Sequence, residues 1–205
     1  MTNYEANPDT PDATLGIGNR QSAIGDPRLA AIWNALESVT DPEIPVLSVV
    51  DMGIVADVRV EEDSVAVDMT PTFVGCPAVD VMRSAIHDAV AALGERNVAV
   101  NVVFDPPWTS DRITEKGRER LLAFGLAPPK REGTRGLRDG GTQKSRAGSA
   151  RRSFVPLDVE RLERVACPFC HSTNTTMESM FGPTLCRSIH YCNDCLQSFE
   201  HFKNV

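Results

Sequence analysis

"IVADVRVEEDSVAVDMTPTFVGCPAV", residues 54–79, changes its periodicity twice within one short stretch. Ile54, Ala56, Val58 and Val60 alternate with Asp57 and Arg59, and after the turn "EED" the residues Val65, Val67 and Met69 resume the alternation. A period of two with one apolar face predicts a half-buried hairpin over 54–69. The pattern then breaks at Thr70-Pro71-Thr72 and restarts after Cys76-Pro77 with helical spacing: Val79, Met82, Ile86, Ala89, Val90 and Leu93, ended by Gly94. Proline suits the first turn of a helix, so Pro77 is expected to open it. Strand, turn, strand, loop, helix in this order excludes an all-α or all-β domain.

Upstream, Asp26 and Pro27 form a cap-and-start pair for a helix carrying Leu29, Ile32, Trp33 and Leu36 down to about Val39. Residues 40–53, "TDPEIPVLSVVDMG", hold two prolines that bar a regular helix or central strand through 41–45. Downstream, Val98, Val100, Val102 and Phe104 predict a third strand. "DPPWTSDRITEKGRERLLAFGLAPP", residues 105–129, predicts a third helix capped at Thr109 or Ser110, running to about Phe124 and stopped by Gly and Pro. The expected fold class is α+β. A short mixed sheet covered by helices spans 26–127, and a small β module follows.

A chain of 205 residues, 41% hydrophobic and 24% charged, allows one ordinary domain and an appendage. No apolar run approaches the ~18 residues of a membrane span, and no basic segment followed by an apolar one opens the chain, so a cytoplasmic protein with no membrane partner is expected. Residues 1–25 are polar and aperiodic and read as disordered. The net charge of −7 is segmented: residues 27–126 carry sixteen acidic and eight basic side chains, residues 130–152 two acidic and eight basic. The basic segment, within a linker over 128–156, could attract nucleic acid or an acidic partner; its glycine-rich composition favours a solvated linker.

Five of the six cysteines lie between 167 and 195. Cys167-x-x-Cys170 and Cys192-x-x-Cys195, separated by 21 residues, have the spacing of a zinc ribbon over 157–205, with strands at 175–181, 184–191 and 196–202. So short a module cannot build a sufficient apolar core, and bound Zn2+ supplies the missing stability. Cys186, six residues before Cys192 in an extended strand, lies roughly 20 Å away and is excluded from that metal unless the strand bends. A semi-buried small residue is its simplest role. Two basic and three acidic side chains after residue 166 suit protein docking better than phosphate binding.

Cys76 stands alone in the first 166 residues, at or beside a helix N-terminus, where the dipole favours a thiolate. His87 is too far along the same helix to serve as its base, roughly 16 Å at ~1.5 Å per residue. A thiolate without a base suits ligation of iron, or of a cluster carried between subunits, better than covalent catalysis. A purely structural cap remains open.

Together "DPEIPVLSVVDMGIV", "TPTFVGCPA", residues 105–129 and the ribbon with its "FEHFK" resemble the PaaD family (also called PaaJ), an accessory component of the multicomponent ring 1,2-phenylacetyl-CoA epoxidase. The first two motifs alone resemble the wider SufT-like iron–sulfur assembly domain. The resemblance implies a non-catalytic accessory subunit of aerobic phenylacetate catabolism, assisting assembly or delivery of iron or an iron–sulfur cluster to the reductase or oxygenase subunits. It implies Cys76 as a transient iron or cluster ligand, Asp41, Glu43, Asp51, Thr70 and Gly75 as its supporting loops, and Cys167, Cys170, Cys192 and Cys195 as zinc ligands. For the three acidic residues, capping and bracing the proline loop is an equal role. Partners so implied are the epoxidase subunits and the iron–sulfur assembly machinery; a homodimer is also allowed. Two departures stand out: His171 where ribbon knuckles commonly carry glycine, and no cysteine near Asn204. A scaffold subunit without metal transfer is the second reading, and a nucleic-acid-binding ribbon protein the third.

Overall fold

The computed structural model describes residues 25–73, 75–131 and 165–205. The segment 1–24, most of the basic linker and residues 157–164 lie outside the described residues. Helix α1, Pro27–Leu36, starts as expected: the Asp26 carboxylate accepts the backbone N–H groups of Arg28 and Leu29, and Leu29, Ile32, Trp33 and Leu36 face inward. The proline loop is held by the Asp41 carboxylate, which accepts the N–H of Glu43 at 2.7 Å and of Ile44 at 2.9 Å. Gly53 ends the loop at φ 65, where a Cβ would collide with the Arg112 carbonyl.

Strands β1, Val55–Val60, and β2, Val65–Met69, form the antiparallel hairpin, and β3, Val98–Val102, runs parallel to β2. The register slips by one residue between Val55 and Asp57, so Ile54 and Val55 are both fully buried instead of alternating. A bulge at Ala56 is the reason, and its extra residue is invisible in a short alternating pattern. On the open face, Asp68 accepts hydrogen bonds from Arg59 and Asn101, a cross-strand ladder of polar groups. Phe104 lies beyond the strand and is exposed, contrary to its place in the expected alternation.

Helix α2, Val79–Ala91, begins two residues later than Pro77 and buries Met82, Ile86 and Val90 against the sheet. Helix α3, Glu115–Phe124, is capped by Thr114, whose hydroxyl accepts from the Gly117 N–H; Thr109 instead precedes, and Ser110 opens, a 3₁₀ turn at Ser110–Arg112. Gly125 closes α3 at φ 87. No helix among the described residues is long and apolar enough to cross a membrane.

The chain does not pass straight from α3 into a free linker. Leu126–Ala127 forms a two-residue strand, β4, parallel to β7, Ser198–Phe202, at the edge of the ribbon sheet β4-β7-β6-β5, in which β5 is Thr175–Ser179 and β6 Arg187–Cys192. Pro129 is buried, and Asn204 exchanges hydrogen bonds with the backbone of Lys130 at 3.1 and 2.8 Å. Phe202, fully buried, belongs to the core of the first domain and lies 6.0 Å from Trp108, whose indole N–H donates to the Met52 carbonyl. The ribbon is therefore docked on the α+β domain through a shared sheet and a shared core.

Each ribbon knuckle is the same turn. The N–H of His171 donates to the Cys167 carbonyl and that of Leu196 to the Cys192 carbonyl, both at 2.9 Å. His171 and Leu196 both sit at φ 61, the left-handed region that glycine occupies without strain. The glycine missing at 171 thus leaves the turn undistorted and its strain in the backbone.

Two outcomes are expected. Phe202→Ala destabilises the protein by about 3–5 kcal/mol in urea unfolding followed by tryptophan fluorescence; a loss below about 1 kcal/mol would contradict its place in the core. His171→Gly stabilises by roughly 0.5–1 kcal/mol, the relieved left-handed strain less the entropy glycine loses; no gain in ribbon melting temperature would show that strain to be absent.

Candidate functional site

The four ribbon cysteines converge from two turns. Their sulfur atoms all lie within 4.8 Å of one another. Cys167 Sγ is 3.7 Å from Cys195 Sγ and Cys170 Sγ 3.5 Å from Cys192 Sγ. A tetrahedron with zinc–sulfur bonds of ~2.3 Å has edges near ~3.8 Å, so this donor set fits Zn2+ closely. Cys167 and Cys192, the first residue of each knuckle, are fully buried, and Cys170 faces solvent. The N–H groups of Cys195 and then Asp194 point at the Cys192 sulfur and bring its pKa down to about 7. Burial first, then hydrogen bonding with the sulfurs of Cys170, Cys192 and Cys167, pushes Cys195 up to about 12. Four crowded sulfurs cannot all ionise without a cation between them. Asp194, next to the second knuckle, accepts from Ser172 and Asn174 after the first, which locks the two turns face to face.

Cys76 sits at the other end of the docked interface. Its N–H donates to the Phe73 carbonyl and its carbonyl accepts from Val79, so it occupies a tight turn before α2, with Gly75 at φ 86. The cap position itself is Ala78, without a side-chain hydrogen bond. The expected thiolate does not follow. Burial raises the Cys76 pKa, the negative charges of Asp41 and Glu43 raise it further, and the backbone N–H groups of Ala78 and Val79 oppose them. The helix end acts on this sulfur, but less than burial and two carboxylates do.

Cys76 lines a cavity of about 310 Å³ between the domains. Glu43, Thr72, Phe73 and Pro77 line it from the α+β side, and residues 181–186 of the ribbon from the other. Cys186 is among them. It is half-buried, its sulfur is 3.0 Å from the Thr184 hydroxyl, and its pKa is raised by burial with contributions from the same Asp41 and Glu43. Sequence spacing correctly separates Cys186 from the ribbon metal, yet gives no sign that docking carries it to the Cys76 cavity. Arg187 beside it bonds Glu200 at 2.7 Å and the Glu43 carbonyl at 3.2 Å, fastening the proline loop to β6. Lys203 lies 5.9 Å above the rings of both Phe73 and Phe181, one from each domain, at the rim.

The supporting residues separate by role. Asp41 is buried and shapes the loop, and Glu43 lines the cavity. Asp51 does not line it; its carboxylate pairs with Arg120 of α3 and accepts from Thr114, and its carbonyl accepts the Thr114 N–H. Bracing is its role. Thr70 is buried, with its N–H on the Ile54 carbonyl, and ends the hairpin. His87 lies in a different hollow, with Arg83, Ser84 and Asp88. Among the described residues, no histidine lines the Cys76 cavity to act as its base. Trp108 and Phe202, which create the interface, stand in stretches that carry the family resemblance, but nothing in the sequence pairs them.

Residues 155–203 match the PaaD zinc beta ribbon domain, and residues 29–102 match the iron–sulfur cluster assembly protein family. A protein of Escherichia coli (strain K12), provisionally named as the D component of 1,2-phenylacetyl-CoA epoxidase, is 34% identical over 91% of this chain and 99% of its own length. The Fe-S protein maturation auxiliary factor YitW of Bacillus subtilis (strain 168) is 39% identical over 46% of this chain and 91% of its own length. A crystallised domain of unknown function, DUF59, from Bacillus anthracis matches 48% of this chain and 96% of its own at 29% identity and a TM-score of 0.45. With relatives of both kinds joined in one polypeptide, the chain belongs to the PaaD family, in which an iron–sulfur assembly domain carries a C-terminal zinc ribbon.

Proposed function

We propose that this protein is a maturation subunit of a phenylacetyl-CoA 1,2-epoxidase, taking up iron or an iron–sulfur cluster at Cys76 and handing it to the reductase or oxygenase subunits. The observation that carries this reading is the position of Cys76. Its thiol opens into an interdomain cavity beside Glu43, and among the described residues no histidine lines it to activate the thiol as a nucleophile. A raised pKa keeps the sulfur protonated, and so unreactive, until a thiophilic cation displaces the proton. Such a group binds metal reversibly and supplies no acid–base chemistry, which supports an accessory role over an enzymatic one.

The ribbon's part is structural. Its own core consists of Ala127, Val165, Cys167, Cys192 and Phe199, two of which are the proposed zinc ligands, with Cys170 and Cys195 completing the set. So small a core holds its shape only with the metal bound. Zinc thereby keeps Phe202 docked and the cavity closed on its ribbon side. Exposed Phe181 and Leu185 at the cavity form an apolar rim suited to a protein client.

Cys192→Ser is expected to lower bound zinc from one equivalent to near none and to shift Trp108 emission to the red as Phe202 leaves its ring. Unchanged emission would separate the ribbon metal from docking. Cys76→Ser is expected to retain zinc and thermal stability while lowering cluster occupancy of the co-expressed epoxidase reductase several-fold. Equal occupancy and equal epoxidation would leave the scaffold reading in its place.

A further inference from the structure

We infer that Cys186 of the ribbon and Cys76 of the assembly domain form one two-thiolate site for a thiophilic divalent cation such as Fe2+, with Glu43 as a third, oxygen ligand. This deepens the proposed function and rests on it, since there Cys76 alone holds the metal.

Three observations meet at this site. First, the two thiols line the same cavity, one from each domain, and Glu43 lines it with them. Second, Arg187, next to Cys186, donates to the Glu43 carbonyl at 3.2 Å, which fastens the proline loop carrying Glu43 to the strand that follows Cys186. Asp41 spends one carboxylate oxygen on the N–H groups of Glu43 and Ile44, which leaves Glu43 as the carboxylate that can turn to a cation. The nearby cations are engaged: Arg187 with Glu200 and the Glu43 carbonyl, and Lys203 with the Met180 carbonyl and the aromatic rim. Third, the ribbon metal set is complete without Cys186, whose thiol meets the neutral hydroxyl of Thr184.

Among the described residues, only the ribbon quartet is already drawn within 4.8 Å. The cavity set is not drawn together in this way, and binding a cation would require its three side chains to converge. A closed, preformed tetrahedron is the mark of a permanent structural metal, and an open site with ligands on two bodies suits a metal that must leave again. Binding exchanges protons for metal: each thiol releases one proton to solvent, and two thiolates with one carboxylate surround the cation without any change of oxidation state.

Co2+ is the probe, added anaerobically to full-length protein whose ribbon already holds Zn2+, which binds such sites more tightly than Co2+ does. One further equivalent of cobalt with thiolate-to-cobalt charge-transfer absorption is expected. Cys186→Ser and Cys76→Ser should each weaken this binding by roughly tenfold or more, and the double variant should lose the band. Cys186→Ser binding cobalt as the wild type does overturns the inference, and leaves the single-thiol reading intact if Cys76→Ser still lowers reductase cluster occupancy. No second cobalt in the wild type also overturns it. Zinc content and far-ultraviolet dichroism report whether the variants fold. As a measurement on unaltered protein, Cd2+ should shield both Cys76 and Cys186 from iodoacetamide in peptide mass spectra; shielding of Cys76 alone overturns the pairing.

Discussion

Phe202 packs a ribbon side chain into the core of a different domain, and the Cys76 cavity depends on that insertion. Its ring is fully buried beside Trp108, and the strand that carries it pairs with Leu126–Ala127 directly after α3. Burying a phenylalanine is worth about 1.5–3 kcal/mol, and the parallel β4–β7 pairing orients the ribbon as well as attaching it. With that orientation, β6 presents Arg187 to the Glu43 carbonyl, and residues 181–186 before it face the Cys76 loop. The cavity is a consequence of docking. Neither domain has it alone.

The ribbon depends on the same contact in return. Five residues make its separate core, and two histidines occupy space that aliphatic side chains would fill in a larger domain. His201 is buried, with its pKa down to about 3 chiefly by burial, and His190 packs edge-on against it with Ser188 between them. Neutral imidazoles in a small core contribute packing but less hydrophobic stabilisation than leucine would. A metal held by the four cysteines, together with docking, would make up the difference and couple the ribbon's integrity to the shape of the cavity.

Most elements of the α+β domain are legible in sequence because each has a periodic apolar face: the hairpin, α1, α2 and the parallel third strand appear within a few residues of their expected limits. The Cys-x-x-Cys spacing likewise announces the quartet. Features without periodicity do not show. Ala56 adds one residue to a strand and shifts Val55 into the core. Thr109 and Ser110 look like caps, but their turn is 3₁₀, and Thr114 with Gly117 makes the cap of α3. Strand β4 is two residues long, too short for any pattern, and so the connection between the domains is hidden. The pairing of Cys76 with Cys186 is hidden for the same reason. Sequence spacing limits what is local, and these two are brought to one cavity only by tertiary docking.

The electrostatics of Cys76 mark where local reasoning misleads. A helix N-terminus favours a thiolate, and the N–H groups of Ala78 and Val79 do pull in that direction. Half-burial sets the largest penalty on charge against it, and the proline loop, far away in sequence, adds Asp41 and Glu43. The net result is a protonated thiol in an electronegative cavity. Against an anion or an electrophile that arrangement is poor. Toward a cation it is better suited, because the carboxylates that oppose ionisation of the thiol would attract a metal replacing the proton. On the proposed function, carboxylates within reach of the thiol would act as a gate, keeping the sulfur protonated without cargo and a ligand only in its presence.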